Sequence, residues 1–475
     1  MYLRQIFDPN LAQYAYLIGC QRTGEAIVID PERDIDRYVD IAAEEGLRIV
    51  AATETHIHAD FLSGARELAE QLGVKLYLSD EGDEDWKYRW AQDGDYDVQW
   101  LSDRDEFRIG NIGFEVLHTP GHTPEHVSFL ITDHGGGASD PIGIASGDFV
   151  FVGDVGRPDL LETAAGVVGA QDPSARRLYA STRRFLDLQD HVQVWPGHGA
   201  GSACGKALGA VPQSTVGYER RFNTALSFDT EDTFVSAILD GQPEPPVYFA
   251  RMKDLNRHGI PVLGALPSPE RVAADRLVEL AGSDGSVIVD TREDRTAYFE
   301  GHVHGSIYSP LGVAFPMVVG SYVDPSDDIY LVVEEDELDE AVRTLVRIGY
   351  DRVVGFATPA DLAAADGLVS VPAVAFSDFD AEPDTASITV LDVRGAAEFA
   401  GAHVPGAINV AHTRLAPRLD EVPRDKPVAV HCRSGARASA AASYLERSGY
   451  DVSVIDGAFA NWPGLRSEPA EVVAG

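Results

Sequence analysis

The feature that most constrains this chain is the segment from Thr55 to Phe61, which reads Thr-His-Ile-His-Ala-Asp-Phe. It follows an apolar run, Ile49 to Ala52, that predicts a buried strand of an α/β layer. His56, His58 and Asp60 alternate where that strand ends. They are candidate metal ligands, because imidazole and carboxylate groups bind borderline first-row metals. Taken alone, a His-x-His segment favours a polar loop with satisfied histidines over a metal site.

Further polar pieces follow downstream in a fixed order. Pro-Gly-His-Thr contains His122, Gly-Asp contains Asp148 at the end of a predicted strand, and Pro-Gly-His-Gly contains His198. A Pro-Gly turn fixes the backbone and can aim the histidine into the same cleft. This order of pieces resembles the metallo-β-lactamase superfamily over roughly the first half of the chain. The resemblance implies an αββα sandwich with metal at one edge of its two sheets.

One position departs from two-metal hydrolases of the superfamily, such as the glyoxalase II type. Those proteins usually carry a histidine directly after the aspartate of the first motif, where this chain has Phe61. A phenyl ring cannot bind a metal, so a second ion would rely on Asp60, Asp148 and His198 with one donor missing. Two-metal hydrolysis needs both ions. The hydrolase interpretation is therefore weakened, and a zinc thioester hydrolase remains the alternative.

The remaining pattern resembles the persulfide dioxygenase branch, whose members hold a single iron with two histidines and one carboxylate. This resemblance implies that His56, His122 and Asp148 bind one Fe(II) per chain. Such a triad leaves coordination positions open for a substrate sulfur and O2 side by side. Three further residues are left as partners that orient ligands or bound water, namely His58, Asp60 and His198.

Two more residues are candidates for a role in this domain. Arg157 could meet an anionic group of the substrate, or could equally hold its own loop through Asp154 or Asp159. Cys204 lies in a small-residue loop shortly after the last histidine motif. Its closeness to the metal edge and to Lys206 would favour the thiolate. The alternative for Cys204 is a buried thiol without chemistry.

Length and composition limit the number of domains, the possible partners and the cellular compartment of the protein. The 475 residues are enough for about three domains. A formal charge of −38 argues against nucleic acid or an anionic membrane as a partner. No apolar run approaches the ~20 residues of a membrane span, and the first ten residues lack a signal-peptide core. The three cysteines lie far apart, which predicts free thiols in a reduced, cytoplasmic protein.

The rest of the chain contains an internal repeat at an offset near one hundred residues. The segment Val287 to Arg292 matches Val390 to Arg394, and Gly349 to Asp351 matches Gly449 to Asp451. Short strands alternate with helices in both copies, which predicts two α/β domains with parallel sheets. Both copies resemble rhodanese domains.

The second copy carries a thiol in a loop suited to sulfur chemistry. The strand Val428 to His431 runs into Cys432, and an alanine-rich helix follows. A loop over a helix N-terminus points backbone N–H groups at one spot. A cysteine there loses its proton easily and can carry an extra sulfur as a persulfide. Gly435 permits the tight curl, while Arg433 and Arg437 can hold thiosulfate or sulfite.

The first copy differs at this place. Its equivalent strand, Ile329 to Val333, runs into Glu334 to Asp336, and an acidic loop would repel sulfur oxyanions. We therefore expect that copy to be inactive, a spacer or a docking unit. The predicted parts are residues 1–240 (metallo-β-lactamase-fold persulfide dioxygenase domain), 241–265 (a proline-stiffened linker), 266–368 (inactive rhodanese-like domain) and 372–475 (active rhodanese domain).

The whole chain thus resembles a persulfide dioxygenase–rhodanese fusion. The resemblance implies that a small-molecule thiol persulfide and O2 give sulfite and thiol, while Cys432 transfers sulfane sulfur and forms or uses thiosulfate. Two alternatives stay open: a zinc thioester hydrolase with an accessory sulfurtransferase, and a sulfur carrier that does not oxygenate. The identity of the thiol and the direction of sulfur transfer are left open, and a homo-oligomer is possible.

Overall fold

A computed structural model describes residues 1–163, 166–380 and 383–465. The chain divides into two compact units. The first contains Met1–Leu266 and Val342–Asp351, and the second contains Pro267–Ala341 and the chain from Arg352 onward. Among the described helices, none combines the length and apolar character needed to cross a membrane.

The first sheet of the first unit has six strands in sequential order. Strands β1 to β6 are Tyr2–Asp8, Gln13–Cys20, Glu25–Ile29, Arg48–Thr53, Lys75–Ser79 and Val98–Leu101. Neighbours from β1 to β3 are antiparallel, and those from β3 to β6 are parallel. Parallel neighbours need crossover connections. These contain the helices α1 (Asp36–Glu44), α2 (Ala65–Leu72) and α3 (Arg89–Asp93).

The second sheet also has six strands, in the order β12-β11-β10-β9-β8-β7. Strands β7 to β12 are Glu106–Ile109, Ile112–His118, Val127–Asp133, Gly143–Gly147, Gln193–Pro196 and Ser214–Thr215. Only β10 and β11 are paired in parallel among these strands. The helices α4 to α8 are Leu160–Thr163, Gln171–Leu186, Val216–Phe222, Glu231–Leu239 and Phe249–His258.

Three apolar layers hold this unit together. One lies between the first sheet and its helices and contains Tyr38 and Leu68. The central layer joins the two sheets and contains Phe114 and Trp195. The third joins the second sheet to α5 and α7 and contains Leu178 and others. Burial of both sheet faces explains why β2 and β3 read as continuous apolar runs. The predicted αββα sandwich is confirmed.

Strand ends bring the sequence motifs to one edge of the two sheets. The loop that contains His56 follows β4, and Asp148 directly follows β10. His198 lies just beyond β11, and His122 lies between β8 and β9. Carboxyl ends of neighbouring parallel strands lie at the same edge of a sheet, so β10 and β11 deliver their residues together.

The second unit contains two five-stranded parallel sheets with the same strand order. In chain order the first, fifth, fourth, second and third strands are neighbours in each sheet, so the predicted repeat is confirmed. Strands β13 to β17 are Glu270–Arg271, Ser286–Asp290, Ile307–Tyr308, Asp328–Val332 and Val353–Ala357, and β18 to β22 are Ala373–Ala375, Thr389–Asp392, Ile408–Asn409, Val428–His431 and Val452–Asp456. Helices α9 to α15 are Ala274–Leu280, Arg295–Glu300, Ala314–Tyr322, Leu338–Arg347, Pro359–Leu362, Ala396–Gly401 and Ala436–Arg447.

The stretch predicted as a linker, residues 241–265, is partly helical. Helix α8 lies within it, and its Phe249 and Met252 side chains are buried in the first unit. The C-terminal part of α12 also belongs to the first unit. The four domain boundaries stay a prediction. Residues 466–475 of the predicted last domain lie outside the described residues.

Candidate metal centre and sulfur-transfer loop

Three of the predicted ligands form one buried group. Asp148 Oδ2 lies 3.5 Å from His122 Nε2 and 3.9 Å from His56 Nε2. One ligand atom from each of the three lies within 4.8 Å of the others. His56 Nε2 and both Asp148 oxygens are buried without a hydrogen-bond partner among the described residues. Buried polar atoms are normally paired, so these residues fit a bound metal.

The histidine rings are oriented for metal binding. His122 Nδ1 lies 3.0 Å from the Arg157 carbonyl, and His198 Nδ1 lies 3.2 Å from the Ala12 carbonyl. Because a carbonyl only accepts, Nδ1 donates in both rings, and Nε2 is the atom of each ring that faces the Asp148 carboxylate. Burial lowers the pKa of both His122 and His56, which favours the neutral form that binds metal.

A second buried group lies on the other side of Asp148. His198 Nε2 is 3.1 Å from Asp60 Oδ2 and 3.4 Å from Asp148 Oδ1. One ligand atom from each of Asp60, His198 and Cys204 lies within 4.8 Å of the others. Carboxylate, imidazole and thiolate are all zinc ligands. Cys204 thus supplies a donor that the sequence analysis, which considered only the position of Phe61, counted as missing.

The environment of Cys204 differs from the sequence expectation in one respect. The Lys206 ammonium donates to the carbonyls of Ala237, at 2.9 Å, and Asp240, at 2.6 Å. Lys206 therefore does not favour the thiolate of Cys204, and that expectation was wrong. Burial raises the pKa of the Cys204 thiol to about 12. The thiol would ionise readily only with a cation beside it.

His58 is held by two acidic residues that sequence reasoning missed. Its Nε2 lies 3.0 Å from Glu54 Oε2 and 3.3 Å from Asp30 Oδ1. Burial opposes a charged ring, yet these carboxylates raise the pKa of His58 well above its usual value. Asp30 also accepts from the backbone and hydroxyl of Thr55, at 2.6 and 2.9 Å. Asp30 directly follows β3, and that position was the available signal.

His126 is a further residue that sequence reasoning left out of the site. Its Nε2 accepts from the backbone N–H of Asp148 at 3.1 Å, and its Nδ1 lies 2.9 Å from Thr119 Oγ1. The ring is buried. His126 therefore fixes the backbone that carries the shared carboxylate.

Arg157 is fully buried and its donors are engaged within the protein. It forms a two-bond pair with Asp159, at 2.8 and 2.6 Å, and donates to the carbonyls of Ala203 and Pro243. These contacts match the second of the two roles considered for Arg157, in which it holds its own loop. A substrate anion would have to displace Asp159 to reach it.

Cys432 lies in a loop that leads from a strand into a helix, and one backbone N–H of this loop bonds to its sulfur. Cys432 is buried where β21 ends, and α15 begins at Ala436. The Gly435 N–H donates to Cys432 Sγ at 3.2 Å. Gly435 has a φ of 96°, a conformation that a side chain disfavours. The loop therefore points backbone N–H toward the sulfur.

The two arginines of this loop differ in their surroundings. Arg437 forms two bonds with Glu398, at 2.7 and 3.0 Å. Arg433 is exposed. In the first copy of the repeat, the equivalent segment Glu334 to Asp336 is acidic and exposed.

Comparison with known proteins agrees with this geometry. The profile of the metallo-beta-lactamase superfamily matches residues 8–198, and that of the rhodanese-like domain matches residues 376–464. The mitochondrial persulfide dioxygenase ETHE1 of Bos taurus is 29% identical over 234 residues, which are 48% of this chain and 78% of the relative. A beta-lactamase hydrolase-like protein of Agrobacterium fabrum is 28% identical over 57% of this chain and 62% of its own length.

A solved structure gives the longest of these matches. The metallo-beta-lactamase of Staphylococcus aureus subsp. aureus COL has 41% sequence identity and a TM-score of 0.67, and the match covers 75% of this chain and 99% of that chain. The fold and site therefore define a member of the metallo-β-lactamase superfamily. More particularly, the chain joins such a domain, with persulfide dioxygenases among its homologues, to a C-terminal rhodanese-like domain.

Proposed function

We propose that this chain oxidises a low-molecular-weight thiol persulfide to sulfite and thiol with one bound Fe(II), and transfers sulfane sulfur through Cys432. The observation that carries the proposal is the buried group of His56, His122 and Asp148, with its unpartnered ligand atoms. Two histidines and one carboxylate are the ligands of non-haem iron enzymes that activate O2. The dioxygenase relatives and the rhodanese-like domain point to the same sulfur chemistry.

Iron(II) bound by this group would supply open positions for a substrate sulfur and for O2. The protein residues position and shield it. Glu54 and Asp30 hold His58, and His126 holds the backbone of Asp148. In the overall reaction, one O2 and one water convert the persulfide into thiol and sulfite. The S–S bond breaks, and the persulfide sulfurs lose the electrons that O2 gains.

A narrow pocket lies beside His122. Its walls are mostly apolar and include Trp86, Leu161 and Phe249. Apolar walls exclude water, which protects a reactive persulfide from side reactions. Lys253 lines the same pocket, with its ammonium 3.7 Å from the centroid of the Trp86 ring. Lys253 would meet an anionic group of a substrate whose end reaches this narrow pocket.

Cys432 would carry the sulfane sulfur in the second activity. Its thiolate attacks the outer sulfur of thiosulfate, the S–S bond breaks and sulfite leaves, so that a persulfide remains on Cys432. The reverse step passes that sulfur to sulfite and forms thiosulfate. The Gly435 N–H and the N-terminus of α15 stabilise the sulfur anion. The exposed Arg433 attracts the oxyanion, whereas Arg437 is paired with Glu398.

One observation favours a second candidate function, a zinc thioester hydrolase with an accessory sulfurtransferase. Asp60, His198 and Cys204 form a second donor group that shares Asp148 with the first. Two ions so placed could clamp the attacking and leaving oxygens of a hydrolysis. Metal analysis combined with O2 uptake on a persulfide separates the two functions. A protein that only carries sulfur would turn over no persulfide.

A further inference from the structure

The first copy of the repeat (the middle domain) contacts the Cys432 loop of the second copy (the last domain). Arg295, the first residue of α10, donates from Nη2 to the Ser434 carbonyl at 3.2 Å. Its Nε lies 2.9 Å from Asp456 Oδ1, at the end of β22. Ser434 and Asp456 belong to the domain that carries Cys432, and all these residues lie in the second compact unit. An arginine from the cysteine-free copy thus borders the sulfur site.

Arg295 packs on Gly435, the residue whose N–H bonds to the Cys432 sulfur. The Nε and Cζ atoms of Arg295 are 3.2 Å from the position that a Cβ on Gly435 would occupy. The N–H of Gly435 donates to Cys432 Sγ. A guanidinium that packs on Gly435 and bonds the Ser434 carbonyl restrains the backbone between these two residues. It therefore helps to aim that N–H at the sulfur.

Helix α15, which begins directly after the Cys432 loop, is also held at its C-terminal end by the middle domain. His302 Nε2 lies 3.0 Å from Glu446 Oε2, and the Gly305 N–H donates to the same oxygen at 3.0 Å. Arg447 donates to the Gly305 carbonyl at 3.1 Å. Glu446 and Arg447 are the last residues of α15. The helix that begins at the sulfur loop is thus anchored by the middle domain at both ends.

Charge gives Arg295 a second effect. The Asp456 carboxylate lies so close to Gly435 that a side chain at residue 435 would collide with it. Without a positive partner, a carboxylate this close to the Cys432 loop would repel a sulfur oxyanion. Of the two arginines in the loop itself, Arg437 is already matched by Glu398. Arg295 neutralises Asp456 and leaves Arg433 free to attract the substrate.

We propose that Arg295 is a positioning residue of the Cys432 site, supplied by the middle domain, and that it sets the affinity for anionic sulfur donors such as thiosulfate. The proposal rests on the proposed role of Cys432 as the sulfur carrier. The middle domain then forms a wall of the transfer site, beyond the spacer or docking role that its sequence predicts.

The test uses the full chain and follows sulfur transfer from thiosulfate to an acceptor thiol. Arg295→Ala should raise the KM for thiosulfate about tenfold, the change that follows from a loss of roughly 1.4 kcal/mol. Arg295→Glu should raise it further, and Arg295→Lys should recover most of the affinity. The matched control is Arg276→Ala, since Arg276 is an exposed arginine of α9 paired with Glu279. It should leave the KM unchanged.

A second readout reports charge at the sulfur itself. Alkylation of Cys432 is measured by peptide mass spectrometry with anionic iodoacetate and with neutral iodoacetamide. The ratio of the iodoacetate rate to the iodoacetamide rate should fall in Arg295→Ala. A purely structural change would alter the rates of both reagents by the same factor. In the double variant Arg295→Ala with Asp456→Asn, the ratio should return toward that of the wild type, because the uncompensated carboxylate is gone.

An unchanged KM and an unchanged alkylation ratio in both Arg295→Ala and Arg295→Glu would overturn the proposal. So would a ratio that Asp456→Asn fails to restore. If Cys432→Ser kept full sulfur transfer, the proposed role of Cys432 would fail instead. That result is distinguishable, because the alkylation ratio is measured on the thiol without turnover.

Discussion

Asp148 Oδ1 lies 3.4 Å from His198 Nε2, although Asp148 also faces the opposite donor group with its other oxygen. One carboxylate is therefore shared between two buried groups of candidate metal ligands. The set with His56 and His122 suits a single iron, whereas the set with Cys204 suits zinc. Under the proposed function only the set with His56 and His122 holds a metal, whereas the alternative hydrolase would fill both sets.

The first prediction concerns the three proposed iron ligands. His56→Ala, His122→Ala and Asp148→Ala should each lose most of the bound iron, because each removes one of three protein donors. Iron content per chain checks this. His118→Ala is the matched control, since its half-buried ring bonds to the Pro124 carbonyl. Full iron in any of the three variants would refute the ligand assignment.

The second prediction concerns Phe61, which is fully buried, with its ring centroid 4.2 Å from that of His58. Phe61→His adds a donor next to Asp60 and should raise the occupancy of a second metal, most readily zinc, while dioxygenase activity falls. Equilibrium dialysis against zinc measures the stoichiometry. Adding Cys204→Ser to the variant should lower the occupancy again. A variant that binds no more metal than the wild type would contradict this account of Phe61.

Much of the fold and part of the site can be predicted from the sequence. The order of motifs around His56, His122, Asp148 and His198 resembles the metallo-β-lactamase superfamily, and that resemblance implies the αββα sandwich that the structure has. The position of Cys204 shortly after the last histidine motif predicts that it lies near the metal edge. Its approach to Asp60 and His198 depends on how its loop packs, and the sequence does not describe that packing.

The contacts of Arg157 and Arg295 could not be predicted from the sequence for a similar reason. From the sequence, Arg157 could either meet a substrate anion or hold its own loop through Asp154 or Asp159, and the buried pair with Asp159 favours the second role. Arg295 stands in a repeat predicted to be inactive. Its approach to Ser434 arises from the packing of two copies, which the similarity of their sequences does not describe.

The third prediction separates the two activities. Cys432→Ser replaces the thiolate with a hydroxyl that stays protonated, so it should abolish sulfur transfer from thiosulfate to an acceptor thiol. Persulfide-dependent O2 uptake should remain largely intact, and the products should shift from thiosulfate toward sulfite. The double variant with Cys204→Ser excludes the other candidate thiol. Loss of transfer in Cys204→Ser alone, with full transfer in Cys432→Ser, would move the working thiol to the first domain.

The fourth prediction concerns the buried carboxyl of Glu125, which accepts from the Ile57 N–H at 2.7 Å. Burial raises the pKa of Glu125 from 4.5 to about 7. Between these values the folded chain holds a proton that the unfolded chain releases, so stability should fall as the pH rises. The loss approaches about 3 kcal/mol above the folded pKa.

Glu125→Gln keeps the acceptor oxygen and removes this titration. The variant should therefore become more stable relative to the wild type as the pH is raised from 5 to 8. Unfolding midpoints at both pH values check the prediction. Glu115→Gln, at an exposed position of β8, serves as the control and should show no such gain. Equal pH dependence of the Glu125→Gln variant and the wild type would argue against a proton on Glu125.

The measurement that tests the central claim most directly combines metal analysis with O2 uptake on one preparation of the full chain, with glutathione persulfide as the probe. The account predicts about one iron per chain and about one O2 consumed per persulfide, with sulfite as the product. Two zinc ions per chain, thioester hydrolysis and no persulfide-dependent O2 uptake would contradict it.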